Sequence, residues 1–180
     1  MALSKIDGTN FIAPTIPVAS GGTGSATLAG AGLANTPAFQ AYLSSNQDIS
    51  DNTLTKAEID TEAFDTAGAY DNSSNYRFTP QTAGKYFVYG AIQAGGSAAD
   101  EIQYFDLLLY KNGSAYQSAI FDNNDSYMDS KVNLTLSSII DMNGSSDYLE
   151  LWGRIDVGSG TPRFYESTKS TMFGAYKIIG

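Results

Sequence analysis

From residue 37 onward, hydrophobic and polar positions alternate with a period of two, the spacing of strands with one buried face. Lys131-Val132-Asn133-Leu134-Thr135-Leu136 puts Val132, Leu134 and Leu136 on one side. Ile102-Gln103-Tyr104-Phe105-Asp106-Leu107-Leu108-Leu109-Tyr110 reads as a strand by length and composition. The Lys111-Asn112-Gly113-Ser114 that follows predicts a tight hairpin, because Asn-Gly tolerates the positive φ of a type I′ turn. The return strand covers 116–121. A second turn at Asn143-Gly144-Ser145-Ser146 leads into a strand over 147–155. Further strands are predicted at 84–92 and 171–179, with shorter ones at 38–43, 54–59 and 76–78. Short strands separated by turn residues predict an all-β sandwich. The one helix-like stretch, Leu54-Thr55-Lys56-Ala57-Glu58-Ile59, is rich in β-compatible residues and is read as strand.

The first 36 residues have a different character. They hold six glycines and two prolines, but of the chain's 22 aromatic residues only Phe11, and of its charged residues only Lys5 and Asp7. Such a segment buries too little apolar surface to offset the entropy of ordering it, so 1–36 is predicted to be an extended arm that docks on a partner surface. Fully extended, it would reach roughly 120 Å at ~3.3 Å per residue. The domain boundary is placed between this arm and a folded unit at 37–180.

Composition narrows the chemistry. The 180 residues include no cysteine and no histidine, which removes disulfide scaffolds, thiol nucleophiles, histidine bases and imidazole-bound metals. A net charge of −9 opposes binding to nucleic-acid phosphates or an anionic membrane. The opening Met1-Ala2-Leu3-Ser4-Lys5-Ile6-Asp7 shows no basic region followed by an apolar run, so a soluble protein without a signal peptide is expected. Sequons such as Asn72-Ser73-Ser74 and Asn112-Gly113-Ser114 are then read as turns.

Three constellations invite a chemical reading. Ser20-Gly21-Gly22-Thr23-Gly24-Ser25 lacks the Gly-Lys-Ser/Thr ending and the strand and helix that frame a phosphate loop, so it is read as a bend in the arm. Asp122-Asn123-Asn124-Asp125-Ser126 gathers oxygen ligands suited to calcium but has Tyr127 and Asn133 where an EF-hand loop needs Gly and Glu. It is read as an exposed polar loop. The 19 carboxylates could include a glycosidase pair, but nothing in the sequence singles one out, and no catalytic role is assigned.

Pro37-Ala38-Phe39-Gln40-Ala41, Tyr70-Asp71, Phe78-Thr79-Pro80 and Ala83-Gly84-Lys85-Tyr86-Phe87 resemble the front half of the globular head of complement component 1q. Leu107-Leu108-Leu109-Tyr110-Lys111-Asn112-Gly113, the region 139–151 around Asp147 and the closing Phe173-Gly174-Ala175-Tyr176 follow in that family's order. The resemblance covers nearly all of 37–180 and implies a ten-stranded jelly roll, related to tumour necrosis factor, that associates as a homotrimer. It also leaves room for calcium near the apex. The chain departs from the family in having no cysteine, and in carrying Asn143-Gly144-Ser145-Ser146-Asp147 in place of a tighter Gly-Asp turn. In the arm, Ile16-Pro17-Val18-Ala19-Ser20-Gly21-Gly22-Thr23-Gly24 resembles an element of bacteriophage tail fibres.

Together these point to a virion protein: a short homotrimeric fibre, assembled in the host cytoplasm, whose heads bind a host-surface glycan or protein without catalysis. Ile16, Pro17, Gly21, Gly22, Thr23 and Gly24 are the expected docking element toward other virion proteins. The run Tyr86-Phe87-Val88-Tyr89 puts large groups on both faces of a strand, and the resemblance assigns the surplus to a three-fold interface of Tyr86, Tyr89, Phe173, Tyr176 and Ile178. Asp122, Asn124, Asp125, Tyr127 and Thr161 are the expected receptor loops, since sandwiches present loops at their ends. A capsid decoration trimer and a glycan-degrading tailspike are the rival readings.

Overall fold

The computed structural model describes residues 34–97, 102–123 and 131–178. Within them the alternation becomes thirteen strands, all antiparallel, and one turn of 3-10 helix at Ser167–Lys169. In chain order they are β1 (Ala38–Tyr42), β2 (Gln47–Asp48), β3 (Thr55–Lys56), β4 (Thr61–Asp65), β5 (Tyr70–Asp71), β6 (Arg77–Phe78), β7 (Gly84–Gly96), β8 (Ile102–Lys111), β9 (Ser114–Asp122), β10 (Val132–Met142), β11 (Leu149–Val157), β12 (Pro162–Phe164) and β13 (Met172–Lys177). The first sheet has seven strands. Its long β7 pairs with β10 along one side and with β13 and β12 along the other; β1 and β4 continue beyond β13, and β2 joins β12. The second sheet has six, ordered β5-β6-β11-β8-β9 with β3 also on β11.

One residue in two along each long strand enters the space between the sheets. Tyr86, Val88 and Ile92 of β7 meet Phe105, Leu107 and Leu109 of β8 there, all fully buried. At the centre Phe39 stacks on Tyr70 at 4.6 Å and Phe78 at 4.5 Å, and takes the edge of Phe173 at 5.2 Å. The hairpin between β8 and β9 forms as Asn-Gly requires, with φ of 53° at Asn112 and 77° at Gly113. Asn112 also ties this turn to the next one, donating from Nδ2 to Asp147 Oδ1 at 2.8 Å and accepting from the Tyr148 amide at 2.9 Å.

The sandwich holds more strands than the ten expected because short pairings at its margins carry little pattern. β12 opens with Pro162, whose missing N–H is tolerated at a strand's first residue, while its carbonyl accepts from the Ile49 amide at 2.9 Å. β4 is an edge strand, mostly exposed, and has no alternation to read. β10 continues past Leu136 through Ser137-Ser138 to Met142, paired with β7 throughout.

The registers fix two ends. Ala38 pairs with Tyr176, and Tyr176 with Phe87, so β1 begins, β13 finishes and β7 begins at one end. Residues 35–37 lead into the sandwich there. Pro162 pairs with Gly96, and Tyr104 with Asp122, which places Ser97, Asn123 and residues 158–161 at the opposite, distal end.

Candidate functional site

Because successive residues of a strand point to opposite sides, each sheet has an outward face, and the two differ in chemistry. On the second sheet three rings lie beneath cations. Trp152 and Tyr110 lie 5.2 Å apart, with Lys56 Nζ 5.3 Å from the Trp152 ring. Lys56 pairs with Glu150 at 2.6 Å, and Trp152 Nε1 donates to the same carboxylate at 3.2 Å. Arg154 covers Tyr104 at 4.9 Å, and Arg77 covers Tyr148 at 4.7 Å. Beneath Arg154, Asp106 is 7% exposed, and burial raises its pKa above the ordinary carboxylate value despite the opposing Arg154 guanidinium 3.7 Å away. Its Oδ1 has no hydrogen-bond partner among the described residues.

On the first sheet the rings meet one another. Phe87 contacts Tyr176 at 5.4 Å and Tyr89 at 6.2 Å. Tyr89 lies over Gly174, where a Cβ would run into its ring, and its hydroxyl accepts from Gln40 Nε2 at 3.2 Å. Burial raises the Tyr89 pKa, so the phenol is neutral at ordinary pH. Ile139, Phe64 and Tyr176 remain 56%, 47% and 37% exposed around this cluster. Charge sits at the two ends: the Lys85–Asp141 pair at one, at 2.8 Å, and at the other Lys169 over the Tyr42 ring, at 4.4 Å, with the Arg163–Asp48 pair of β12 and β2, at 2.8 Å. The outward positions between them on β1, β13, β7 and β10 carry none. A groove of about 500 Å³ runs along the β10 edge of this sheet, lined by residues 89–91 of β7, 135–137 of β10 and Met172, and reaches residues 117–119 of β9 in the second sheet.

The expected interface residues divide by face. Tyr89 and Tyr176 lie outward on the first sheet, and Ile178 follows in the same alternation. Tyr86 and Phe173 do not: both are fully buried in the chain's own core, where Tyr86 donates to the Thr82 carbonyl at 2.8 Å and burial pushes its pKa up to about 12. They offer no surface to a second copy. Residues three apart on a strand face opposite ways, so Tyr86 could not share a face with Tyr89, nor Phe173 with Tyr176. The outward positions on those two strands are held by Phe87 and Met172, with Gln40, Phe64 and Ile139 on the same face. Counting by two from Tyr89 would have found Phe87.

Among the receptor-loop candidates, Asp122 ends β9, exposed, and Thr161 precedes β12, bonded through its backbone to Ser97. Both lie at the distal end, on different sheets. Asn124, Asp125 and Tyr127 lie outside the described residues, as do Ile16, Pro17, Gly21, Gly22, Thr23 and Gly24 of the arm. Among the described residues no group of three or more His, Cys, Asp or Glu could hold a metal ion.

Neither a family model nor a curated protein matches the chain in sequence. Solved structures do match in shape. The tumour necrosis factor Eiger of S. frugiperda aligns with a TM-score of 0.58 at 12% identity, over 78% of this chain and 91% of that one. Murine APRIL aligns at 0.55 and 9%, over 78% and 98%. The fold is a jelly-roll sandwich of this type. The globular domain of zebrafish complement 1qA aligns at 0.51 and 13%, over 79% and 98%. Identities this low establish the shared fold and leave the chemistry to the residues themselves.

Proposed function

We propose that this chain is the subunit of a homotrimeric, non-catalytic binding head on a bacteriophage virion. The uncharged outward face of the first sheet packs around the three-fold axis. Folds of the tumour necrosis factor and complement 1q type serve as trimeric binding heads, which agrees with this arrangement. The observation that carries the reading is the aromatic and uncharged face with charges only at its rims, the composition of a desolvated interface core.

The virion assignment rests on the Gly-Gly-Thr-Gly element of residues 16–24, which resembles tail-fibre sequence, and on the polarity of the sandwich. Residues 35–37 lead in at one end, and Asp122 and Thr161 lie at the other. An arm fixed to the particle would therefore leave the distal loops pointing outward. Three copies of a weak contact act together there, and trivalency multiplies the affinity without new contacts.

The test is adsorption competition. Host cells preincubated with the full-length chain are expected to lose phage adsorption in proportion to the bound trimer. Unchanged adsorption, with density for this chain at capsid three-folds in a cryo-electron map of the particle, would move the reading to a capsid decoration trimer.

A further inference from the structure

The first sheet's outward face carries a projection at one edge and a groove near the other, and the registers put them at nearly the same height. Phe64 on β4 pairs with Gln40, Gln40 with Gly174, Gly174 with Tyr89, and Tyr89 with Ser137. Phe64 begins this row, 47% exposed; Tyr89 and Ser137, which line the groove, finish it. The row crosses five strands, or roughly 19 Å at ~4.8 Å per spacing. A rotation axis along the strands leaves every row at its own height. Contacts between different patches on one row then close a ring, whereas patches offset along the axis would add a rise at each step and grow a filament.

We infer that Phe64 of one copy seats in the groove of the next copy, between Tyr89, Ala91, Thr135 and Met172, and so closes the ring head to tail. This rests on the trimer reading above and adds which edge meets which. The groove suits a ring chemically: its lining has no charged residue, and it offers a phenol, a thioether and small side chains. The acidic neighbour of Phe64 is already engaged, because Asp65 accepts from the Tyr70 amide at 2.8 Å and the Ala67 amide at 3.0 Å. Phe64 is thus the large apolar side chain left exposed on that edge. Burying it removes apolar surface that the isolated chain leaves in water, and the same contact is made three times per ring.

The absence of native cysteine makes the test clean. Full-length chain carrying both Phe64→Cys and Thr135→Cys is treated with a short bismaleimide and run on a denaturing gel. The expected result is covalent dimer and closed trimer, with neither in the two single variants. Thr135→Trp, which fills the exposed side of the groove, and Phe64→Ala are each expected to raise the concentration at which the trimer dissociates at least ten-fold. Near-ultraviolet circular dichroism should keep its native signal in both. A trimeric mass with no cross-linking in the double variant, and unchanged dissociation for Phe64→Ala, would overturn the Phe64 contact while leaving the trimer standing. A monomeric mass for the unsubstituted chain would overturn both.

Discussion

On the second sheet three outward rings are met by a cation or a carboxylate of their own chain, Trp152 by Lys56 and Glu150, Tyr104 by Arg154 and Tyr148 by Arg77, while Tyr116 and Ile120 stay exposed on the edge strand β9. On the first sheet Phe87, Tyr89 and Tyr176 meet only one another, Gln40 and small residues, while Ile139 and Phe64 stay exposed beside them. Both faces are aromatic. What separates them is whether the chain supplies the polar partners that let a ring sit beside water. A face that does so can stand as a surface; in the trimer we propose, the face that does not is completed by another copy of the chain, with its rim charges at the edge of that contact.

The largest expected effect comes from breaking this difference directly. Phe87→Glu places a carboxylate in the middle of the uncharged face, where burial without a partner costs about 3 kcal/mol or more. The assembly should dissociate to folded monomer in sedimentation velocity. Leu108→Glu, the same change on the second sheet's outward face, should leave the mass as it was.

The second effect falls on folding and spares assembly. Trp152→Ala removes a ring that supports Tyr110 and Lys56, and should lower the unfolding free energy by about 2 kcal/mol in urea without changing the assembled mass. A smaller effect is expected of Gly174→Ala. Its Cβ would push the Tyr89 ring away from Gln40, which should weaken assembly about ten-fold while monomer stability changes by about 1 kcal/mol or less.

The smallest effect is at Asp106, whose folded pKa lies above its ordinary value of 3.8 because burial outweighs Arg154. A raised carboxyl pKa means that its contribution to stability is full below pH 3.8 and declines as pH rises through the folded value. Asp106→Asn, neutral throughout, should therefore stabilise the fold slightly at pH 7 and should flatten the decline of stability as pH rises above 3.8, read from urea unfolding across pH.

Much of the sandwich is legible in the sequence, and the reasons are local. Strand β11 and the first half of β10 alternate, β7 and β8 stand out by length and by apolar and aromatic composition, and the β8–β9 hairpin is written in Asn112-Gly113. Strands β2, β4, β5 and β12 were not legible because strands of two to five residues at an edge are set by pairing across the sheet, which leaves no period along the chain. The face of the first sheet was half legible. Its aromatic surplus stands out at 86–89, but which ring points outward depends on register, and Tyr86 was assigned outward although Tyr89, three positions on, requires it to point inward. Phe64 and the groove were beyond reach. They come from strands far apart in sequence, and only the pairing Phe64–Gln40–Gly174–Tyr89–Ser137 puts them on one row.

The central claim is that the first sheet's uncharged face is where copies of this chain meet. Sedimentation equilibrium of the full-length protein at micromolar concentration tests it most directly. The proposed trimer should give about three times the 19.1 kDa of one chain, held as salt is raised to about 0.5 M because the outward positions between the rims of that face carry no charge. A mass of 19.1 kDa across that range would contradict it.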